Sequence, residues 1–477
     1  MAVHEIESGP KTRVHAFTDD ALGDHDAVGL VAELRAGRVS SAELVEAAIN
    51  RTEKVNADLN GLACADFDRA RRSAQTPGRE FFGGMPTYIK DNCDVEGLPT
   101  QQGTDTYRAR PAKADGALAR NYFAQGFINL GKTQLSEFGF NPSGEHARLP
   151  PVRNPWHTDH DSGGSSAGSS VFVAAGVVPL AHATDGGGSI RIPAACNGLV
   201  GMKPSRGRVP TDKLMDQMPV RIVADGAVSR TVRDTAAYLR EAEKVFRNPA
   251  LPPIGDVTGP GRKRLRVAMV VDSIVGRTDD ETAATVRRTA ELLESLGHQV
   301  EEVAAPVTQS LIGDLLTYWA FLAAAQLASG KVTLAPSFSA RRCDNVTRGL
   351  AGGLVRNPAR LPLAIVRLRA AQRTSANFFR SYDTVLSPVC ALVAPEIGYL
   401  NPNQPSKLMI DKLVGYDSFA PLQNVTGEPA ISLPMGAAKN GVPIGIQLAA
   451  PVGRESRLLE VAYELERAQP FRRIQDA

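Results

Sequence analysis

Apolar residues recur at helical spacing in the N-terminal segment, residues 1–75. Leu44, Ala47 and Ala48 fall on one face of a helix. A capping signal of the S-x-x-E type begins at Ser40, where such a helix would start. The pattern predicts an N-terminal helical segment that packs on a larger body.

The pattern changes over residues 83–210 into short apolar runs separated by Gly, Ser and Pro clusters, which is typical of buried strands and their loops. Further on, residues 265–273 predict a strand, residues 279–297 an amphipathic helix that ends at a glycine, and residues 298–303 a second strand. These three elements predict a βαβ unit.

Residues 310–380 are predicted to be mainly helical. Strand-like segments follow at residues 424–436 and 441–450, before a last helix at 456–468. Because strands and helices alternate along the chain, the predicted fold class is α/β.

A chain of 477 residues exceeds the roughly 250 to 300 at which one core usually stops growing, so two domains or one large sheet-based domain are expected. Hydrophobic residues make up 43% and charged residues 22%, as in soluble globular proteins. The net charge of +3 is too small for a basic nucleic-acid-binding surface, so no nucleic-acid partner is predicted.

The N-terminal residues contain no long apolar stretch of the secretory type, and nowhere do about 18 uncharged apolar residues run together. The five cysteines are far apart and contain no CxxC pair, so neither a disulfide framework nor a zinc site is predicted. These features predict a soluble cytoplasmic protein with reduced thiols.

Two clusters of small residues carry the candidate chemistry: SGGSSAGSS at 162–170 and DGGGSIRIP at 185–193. Small residues let the backbone approach a ligand and direct successive N–H groups at one point, as holding an oxyanion requires. Serines in such loops are candidate nucleophiles. One such loop is more typical of a flexible turn, but two around an apparent helix and strand favour a catalytic site.

These clusters and their surroundings resemble the defining sequence of the amidase signature family, over about residues 26–470. The matching segments are FGGMPTYIKDNCDVEGLPTQQG (82–103), LGKTQLSEFGF (130–140), RNPWH (153–157), GGSSAGSS (163–170), ATDGGGSIRIPAACNGLVGMKPSRGRVP (183–210), DGAVSRTVRD (225–234), QNVTGEPAISLPMG (423–436) and GVPIGIQLAAP (441–451). The resemblance implies a single large α/β/α sandwich around a twisted mixed sheet. Its catalytic domain would cover residues 76–472, with 310–380 as a helical region that shapes and caps the substrate pocket.

The resemblance also implies a catalytic relay of Lys90, Ser165 and Ser189, with Ser165 held by a cis peptide bond. A serine hydroxyl needs an adjacent base, and a lysine is a base only when its amine is neutral. Holding a lysine neutral at pH 7 costs about 4 to 5 kcal/mol unless burial depresses its pKa. Lys90 is therefore expected to be buried and desolvated.

The backbone N–H groups of Gly186, Gly187, Gly188 and Ser189 are predicted to bind the oxyanion of the tetrahedral intermediate. Asp185 and Arg191 flank this turn with opposite charges.

We interpret Asp185 and Arg191 as a structural clamp that holds the loop, rather than as catalytic groups. Three positions depart from the usual family pattern: Gly186 where a larger residue is common, Ala167 for a glycine, and Ser162 for a proline. All three leave the relay residues in place.

Two other patterns have both a functional and a structural interpretation. Residues 126–133, GFINLGKT, match the phosphate-loop pattern, but their apolar interior favours a buried core strand. His146, His157, His160 and His182 lie close in sequence, without the spacing of a metal site, and satisfied or solvated histidines are the favoured interpretation. The relay requires neither metal nor cofactor, and none is predicted.

Residues 354–373 interleave five arginines with apolar residues. A solvated helix that covers the core is the favoured interpretation. A basic amphipathic helix is also what docking to a membrane surface needs, so contact with membranes through this segment is the weaker alternative. The sequence does not determine the oligomeric state, and a homodimer is compatible with it.

The resemblance implies hydrolysis of a small-molecule carboxamide to a carboxylate and ammonia or an amine, through an acyl-enzyme on Ser189. The segments APEIGYLNPN (394–403) and SFAPLQNVTGEPAISLPMG (418–436) also resemble enzymes that cleave linear or cyclic amides of aminoalkanoic acids. The alternative function is the glutaminase subunit of a tRNA-dependent amidotransferase, which shares the relay but works with partner proteins. A noncatalytic role is disfavoured because Lys90, Ser165 and Ser189 are all retained.

Overall fold

The structure is a computed structural model that describes residues 12–477. The helices of this part of the chain are α1 (Ala27–Arg35), α2 (Ser41–Leu59), α3 (Phe67–Ala74), α4 (Ala117–Phe123), α5 (Ala167–Ala174), α6 (Arg191–Asn197), α7 (Lys213–Asp216), α8 (Val232–Val245), α9 (Asp280–Ser295), α10 (Gln309–Thr333), α11 (Asn345–Arg356), α12 (Leu361–Phe378), α13 (Ser406–Tyr416), α14 (Pro421–Thr426) and α15 (Glu455–Ala468). The strands are β1 (Leu62–Ala65), β2 (Pro86–Lys90), β3 (Ile128–Thr133), β4 (Arg153–Asn154), β5 (His157–Asp161), β6 (Leu180–Asp185), β7 (Val200–Lys203), β8 (Ala224–Ser229), β9 (Arg266–Met269), β10 (Gln299–Glu302), β11 (Thr384–Pro388), β12 (Ala430–Ala437) and β13 (Pro443–Ala449).

A central mixed sheet has the strand order β10-β9-β11-β13-β12-β7-β8-β6. Strand β9 pairs in parallel with β10 and β11, and the other neighbours pair antiparallel. A smaller sheet, β1-β3-β2, lies beside β6, where Thr87 Oγ1 donates to the Leu180 carbonyl over 2.9 Å. Helices cover both sides of the central sheet, which confirms the predicted α/β/α sandwich.

The predicted βαβ unit is present as β9, α9 and β10, with the two strands parallel. Helix α9 ends at Ser295, and Gly297 follows with a φ of +91°, a conformation that glycine adopts without steric cost. The spacing of apolar residues was sufficient to predict α9 because this helix carries one continuous apolar face.

The N-terminal helices pack on the main core, which α1 and α2 share with the central sheet through residues such as Leu30, Leu44 and Val228. The predicted capping box of α2 is confirmed: the Glu43 N–H donates to Ser40 Oγ over 3.2 Å, and the Ser40 N–H donates to Glu43 Oε2 over 2.8 Å. Residues 1–11 of the predicted segment lie outside the described residues. One difference is β1, a strand inside the segment expected to be helical; it pairs antiparallel with β3.

Helices α10, α11 and α12 occupy most of residues 310–380, as the pattern predicts, and α10 packs along the other two. By length and composition α10 could also cross a membrane, with 22% of its apolar window buried in the protein. Asp314 and Lys331 bound the uncharged run of this helix, so the sequence pattern alone does not indicate a membrane span here.

Residues 128–133 of the phosphate-loop pattern form the buried strand β3, so the core-strand interpretation is confirmed. Its lysine, Lys132, is buried and contacts a carboxylate oxygen of Asp91 at 2.7 Å. Lys132 Nζ also donates to the Pro99 carbonyl and to Thr100 Oγ1, over 2.9 and 2.8 Å. These contacts satisfy the Lys132 ammonium group without a phosphate ligand.

Candidate active site

The ends of β2 and β6 and the starts of two helices bring the predicted relay residues into one region. Lys90 is the last residue of β2, and Ser189 lies in the turn between β6 and α6. Ser165 follows a cis peptide bond from Gly164, two residues before α5 begins. The expected cis bond is therefore present. Lys90 contacts Ser165, and the neighbouring Ser166 contacts the Ser189 backbone.

Lys90 is 1% exposed, and its Nζ lies 2.8 Å from Ser165 Oγ. A second contact, at 3.3 Å, joins Nζ to the carbonyl oxygen of Thr184. Burial lowers the pKa of Lys90 from an ordinary value of 10.5 to about 7, although Asp225 and Asp185 act in the opposite direction. The structure thus places a half-neutral amine against a serine hydroxyl at neutral pH, as base catalysis requires.

A buried histidine positions the backbone of Lys90. The Lys90 N–H donates to His182 Nδ1 over 3.1 Å, and His182 Nε2 lies 3.3 Å from Asp225 Oδ1. Burial lowers the pKa of His182, against the opposing effect of Asp225. The ring is therefore neutral with its proton on Nε2, and it supports Lys90 instead of replacing it as a base.

A backbone hydrogen bond links the Ser189 turn to the loop that carries Ser165 and Ser166. The Ser166 N–H donates to the Ser189 carbonyl over 3.3 Å. Ser166 Oγ also bridges to β6, since it donates to the Thr184 carbonyl over 3.1 Å. The two loops are therefore held together by hydrogen bonds. The Ser189 hydroxyl makes no hydrogen bond within residues 12–477, and Ser189 as a whole is 7% exposed.

The predicted oxyanion donors need one correction. The N–H of Gly188 donates to Asp185 Oδ1 over 2.7 Å, so this group braces the turn and is not free to bind an oxyanion. The N–H groups of Gly186, Gly187 and Ser189 have no acceptor among residues 12–477. The unpartnered N–H groups of the turn are thus these three, while Gly188 adopts a φ of +128° that favours glycine.

The glycines of the turn differ in how closely they are packed. A Cβ on Gly187 would lie 2.6 Å from Cζ2 of Trp319, and one on Gly188 would lie 2.8 Å from Cβ of Ala420. At Gly186 the nearest atom, on Val223, would be 3.6 Å away. This space agrees with the larger residue that the family commonly carries at that position.

Asp185 and Arg191 form the expected ion pair, with both side chains fully buried. Arg191 Nε and Nη2 donate to the two carboxylate oxygens over 2.9 Å each. Burial by itself would raise the pKa of Asp185, but Arg191 holds it well below the usual range. Because Asp185 also accepts from the N–H groups of Gly188 and Ile190, the pair braces the turn that carries Ser189.

Three polar residues that the sequence pattern did not reveal complete this clamp. Arg191 Nη1 donates to Gln423 Oε1 and Gln447 Oε1 over 3.1 and 2.6 Å. Arg191 Nη2 donates to Asn424 Oδ1, and Asn424 Nδ2 returns a bond to the Asp185 carbonyl. These residues lie in the segments 423–436 and 441–450, which carried the family resemblance but gave no sign of their individual roles.

An apolar pocket opens beside the Ser189 turn, between α10, α13 and α14. It has a volume of about 100 Å³ and is lined by Phe140, Pro142, Val275, Val307, Leu311, Ile312, Leu315, Leu316, Trp319, Leu350, Ile410, Leu413, Val414, Asp417, Ser418, Pro421, Leu422 and Val425. Trp319 joins the pocket to the turn because its ring packs against Gly187. Residues of the region 310–380 thus form part of the wall of a cavity beside this turn.

Similarity to known proteins agrees with this geometry. A family model described as Amidase matches residues 43–459. The chain belongs to the amidase family. A protein named "Putative amidase AmiC" from Mycobacterium leprae (strain TN) is 54% identical over 97% of this chain and 99% of the relative. The solved structure of 6-aminohexanoate cyclic dimer hydrolase complexed with substrate has 29% identity and a TM-score of 0.85, covering 96% of this chain and 99% of that one.

As a member of this family, the amidase is a hydrolase that acts on amide C–N bonds. Its fold also occurs in a glutamyl-tRNA(Gln) amidotransferase component from Thermotoga maritima, at 23% identity and a TM-score of 0.76 over 95% of this chain and 96% of that one. A likeness at this identity concerns the fold alone, so the hydrolase function is better supported than the glutaminase alternative.

The histidines flagged in the sequence have structural partners in the amidase. His146 Nε2 lies 2.7 Å from the Leu135 carbonyl, and His160 Nδ1 lies 2.8 Å from the Ala394 carbonyl. Within residues 12–477 no three His, Cys, Asp or Glu side chains are grouped so that they could hold a metal ion. The departures from the family pattern are also accommodated: Ala167 is buried at the start of α5, and Ser162 Oγ donates to the Val152 carbonyl over 2.9 Å.

Proposed function

We propose that this amidase hydrolyses a carboxamide through an acyl-enzyme on Ser189, with Lys90 as the base and Ser165 as the proton relay. The observation that supports it most directly is the 2.8 Å contact between Lys90 Nζ and Ser165 Oγ inside the protein, where burial lowers the pKa of Lys90 to about 7. A lysine with this pKa is partly neutral at pH 7 and able to accept a proton.

In the first half of the reaction Ser189 Oγ attacks the amide carbonyl and its proton passes to Ser165, whose own proton passes to Lys90. The tetrahedral oxyanion accepts hydrogen bonds from the backbone N–H groups of Gly186, Gly187 and Ser189. The C–N bond then breaks, the leaving nitrogen takes a proton from Ser165, and Ser165 is reprotonated by Lys90. Water attacks the resulting ester by the same route, which releases the carboxylate and restores the free enzyme.

The pocket favours an apolar acyl group over glutamine. Glutamine carries an ammonium and a carboxylate, and a buried carboxylate needs a cationic partner. Among the side chains that line the pocket there is no lysine or arginine, and Asp417 is the one ionisable group. This composition supports a hydrolase of aliphatic or aromatic amides.

Covalent labelling tests this proposal. A fluorophosphonate probe followed by peptide mass spectrometry should modify Ser189 in the wild type, and the label should disappear in Ser189→Ala and fall by at least about a hundredfold in Lys90→Ala. Ser170→Ala is the matched control, since the buried Ser170 hydroxyl has no hydrogen-bond partner within residues 12–477 and its loss should leave labelling unchanged. A folded wild-type protein that stays unlabelled at Ser189 would contradict the relay.

The cytoplasmic location, a homodimer and membrane contact through 354–373 stay predictions. On α12, Leu363 and Val366 are 51% and 63% exposed next to the exposed Arg367. Cosedimentation with anionic liposomes at low salt distinguishes a membrane-docking surface from a solvated helix, and sedimentation velocity determines the oligomeric state.

A further inference from the structure

One carboxylate oxygen on β8 accepts hydrogen bonds from two side chains of β6. His182 Nε2 donates to Asp225 Oδ1 over 3.3 Å, and Thr184 Oγ1 donates to the same oxygen over 2.7 Å. The two donors are two positions apart on β6, so their side chains lie on the same face of the strand. Asp225 stands directly opposite Thr184 in the antiparallel pairing of β6 with β8. The strand register therefore brings both donors to one acceptor.

The same two residues hold the two ends of Lys90. The Lys90 N–H donates to His182 Nδ1 over 3.1 Å, and Lys90 Nζ lies 3.3 Å from the Thr184 carbonyl oxygen. An imidazole ring that donates from Nε2 is free to accept at Nδ1, so Asp225 selects the tautomer that receives the Lys90 N–H. Asp225 thus acts on the relay lysine through two intermediate residues.

The Thr184 hydroxyl has a second acceptor, but Asp225 is the nearer one. Asp225 Oδ1 lies 2.7 Å from Thr184 Oγ1, whereas Asn92 Oδ1 lies 3.3 Å away. A hydroxyl has one proton to donate, and a bond to a carboxylate is stronger than a bond to an amide oxygen. Loss of the carboxylate would therefore release Thr184 together with His182.

Two carboxylates favour the charged form of Lys90, and they differ in whether a cation neutralises them. Asp185 pairs with the buried Arg191, whereas Asp225 pairs with neither an arginine nor a lysine within residues 12–477. The ion-pair partner of Asp225 is His182, and burial lowers the pKa of this ring, which keeps it neutral. Burial also lowers the pKa of Lys90, and the uncompensated charge of Asp225 opposes that effect.

The other elements packed around His182 and Asp225 contribute one further charge. Burial raises the pKa of the thiol and of the two phenols in this group, so these three side chains are uncharged at neutral pH, and the fourth is a carboxylate that acts on His182. The four residues are Cys93, Tyr122, Tyr238 and Asp212. None of the four is an acceptor for His182 Nε2 or Thr184 Oγ1 within the described residues.

We propose that Asp225 is a positioning residue of the relay, whose carboxylate holds Lys90 against Ser165 through His182 and Thr184. Its charge has a second effect, since an anion near a buried amine makes that amine a stronger base. The inference rests on the proposed function, in which Lys90 is the base. It predicts that removal of the charge weakens the base, and that removal of the oxygen atoms also misplaces it.

The pH dependence of covalent labelling separates the two effects. The rate of Ser189 labelling by a fluorophosphonate probe is measured from pH 5 to pH 9, and the wild type should show a midpoint near pH 7. Asp225→Asn keeps an oxygen that accepts from both donors but removes the charge. Its midpoint should fall by about one pH unit, so that labelling at pH 6, relative to the plateau, rises about fivefold. The plateau itself should fall by no more than about threefold, as expected of a weaker base.

Asp225→Ala removes the shared acceptor, and its plateau should lie at least about tenfold below that of Asp225→Asn. Thr184→Val removes one of the two contacts and keeps the charge, so its plateau should fall severalfold while its midpoint stays within about 0.3 pH unit of the wild type. The control is Ser229→Ala on the same strand, where the lost hydroxyl bonds to Thr231 and Thr235 and not to the relay. This variant should keep both the midpoint and the plateau.

An unchanged midpoint in Asp225→Asn, or equal plateaus for Asp225→Asn and Asp225→Ala, would overturn the inference. A purely structural role of Asp225 would lower the plateau without moving the midpoint to lower pH. Circular dichroism verifies that each variant is folded, and Thr184→Val decides the positioning effect if Asp225→Ala is not. Absence of labelling at Ser189 in the wild type would instead refute the proposed function, so the two failures are distinguishable.

Discussion

Replacing Lys90 with methionine should make the protein more stable at pH 7 while abolishing its activity. The lysine is 1% exposed, and no carboxylate contacts its amine within the described residues. Its pKa is lowered by burial from 10.5 to about 7, so the charged form is disfavoured in the folded state. Methionine fills a similar volume without a charge, which removes this unfavourable contribution.

The magnitude follows from the two pKa values. The difference between 10.5 and about 7 corresponds to about 5 kcal/mol of unfavourable free energy well below pH 7, and to about 4 kcal/mol at pH 7, where half of Lys90 is protonated. Methionine loses the contacts with Ser165 and Thr184, worth about 1 kcal/mol each. The net gain in the free energy of unfolding is therefore about 2 kcal/mol at pH 7.

The stability gained in Lys90→Met should decrease as the pH rises. Between about pH 7 and 10.5 the unfolded chain holds a proton on Lys90 that the folded protein has lost, so wild-type stability rises with pH over this window. Methionine at this position cannot titrate. The advantage of Lys90→Met should thus shrink steadily above pH 7 and reverse near about pH 9. Only well above pH 10.5 do the lost hydrogen bonds remain as the sole difference.

Urea unfolding at pH 7, 8 and 9 measures this effect, with the difference between variant and wild type taken at each pH. Lys132→Met is the matched control: Lys132 is equally buried, but it pairs with Asp91 at 2.7 Å. Removing that cation leaves a buried carboxylate unpaired and should destabilise by about 3 to 5 kcal/mol. The reasoning is refuted if Lys90→Met is less stable than wild type at pH 7, or if its gain does not decline as the pH rises.

Three further predictions concern the reaction and the turn. The kcat/KM for an uncharged amide should rise about tenfold from pH 6 to pH 8 as Lys90 loses its proton, and a flat profile would contradict Lys90 as the base. Arg191→Met should lower the free energy of unfolding in urea by about 3 to 5 kcal/mol, because it leaves a buried carboxylate unpaired. Gly187→Ala should lower kcat/KM by tenfold or more, since its Cβ would meet Trp319 at 2.6 Å, whereas Gly186→Ala, with its nearest contact at 3.6 Å, should stay within about twofold. Equal rates for these two alanine variants would show that the packing of the turn is irrelevant.

The sequence was sufficient to predict those parts of the site that lie in short continuous segments. Ser165 and Ser189 each belong to a Gly/Ser-rich motif, and Asp185 and Arg191 are six positions apart, so their pairing could be inferred locally. The need for a neutral base predicted the burial of Lys90, which the structure confirms at 1% exposure. In these cases the chemical requirement of the reaction and the local spacing of residues were sufficient for the prediction.

Other features depend on backbone direction or on distant segments, which residue patterns do not encode. Three successive glycines suggested three oxyanion donors, but whether the Gly188 N–H faces the substrate or Asp185 is set by the turn conformation. Asn424 lies more than two hundred positions from Arg191, and its role became visible only when the chain was folded. Trp319 and Asp417, almost a hundred positions apart, likewise line one pocket only in the folded chain.

Helix α6, which follows the nucleophile directly, lies between two apolar clusters. Ala194 and the preceding Ile190 belong to the main core with the central sheet, while Ile192 and Ala195 belong to a second cluster with residues of α10, α11 and α13. The clamp and the proposed relay are thus anchored in the core, and the apolar pocket draws on α10, α11 and α13 of the second cluster. Because protein interiors are close-packed, a change in the packing of those helices reaches Ser189 through α6. Substitutions that reshape the pocket should therefore alter kcat together with KM, and substrate preference in this protein is coupled to the position of its nucleophile.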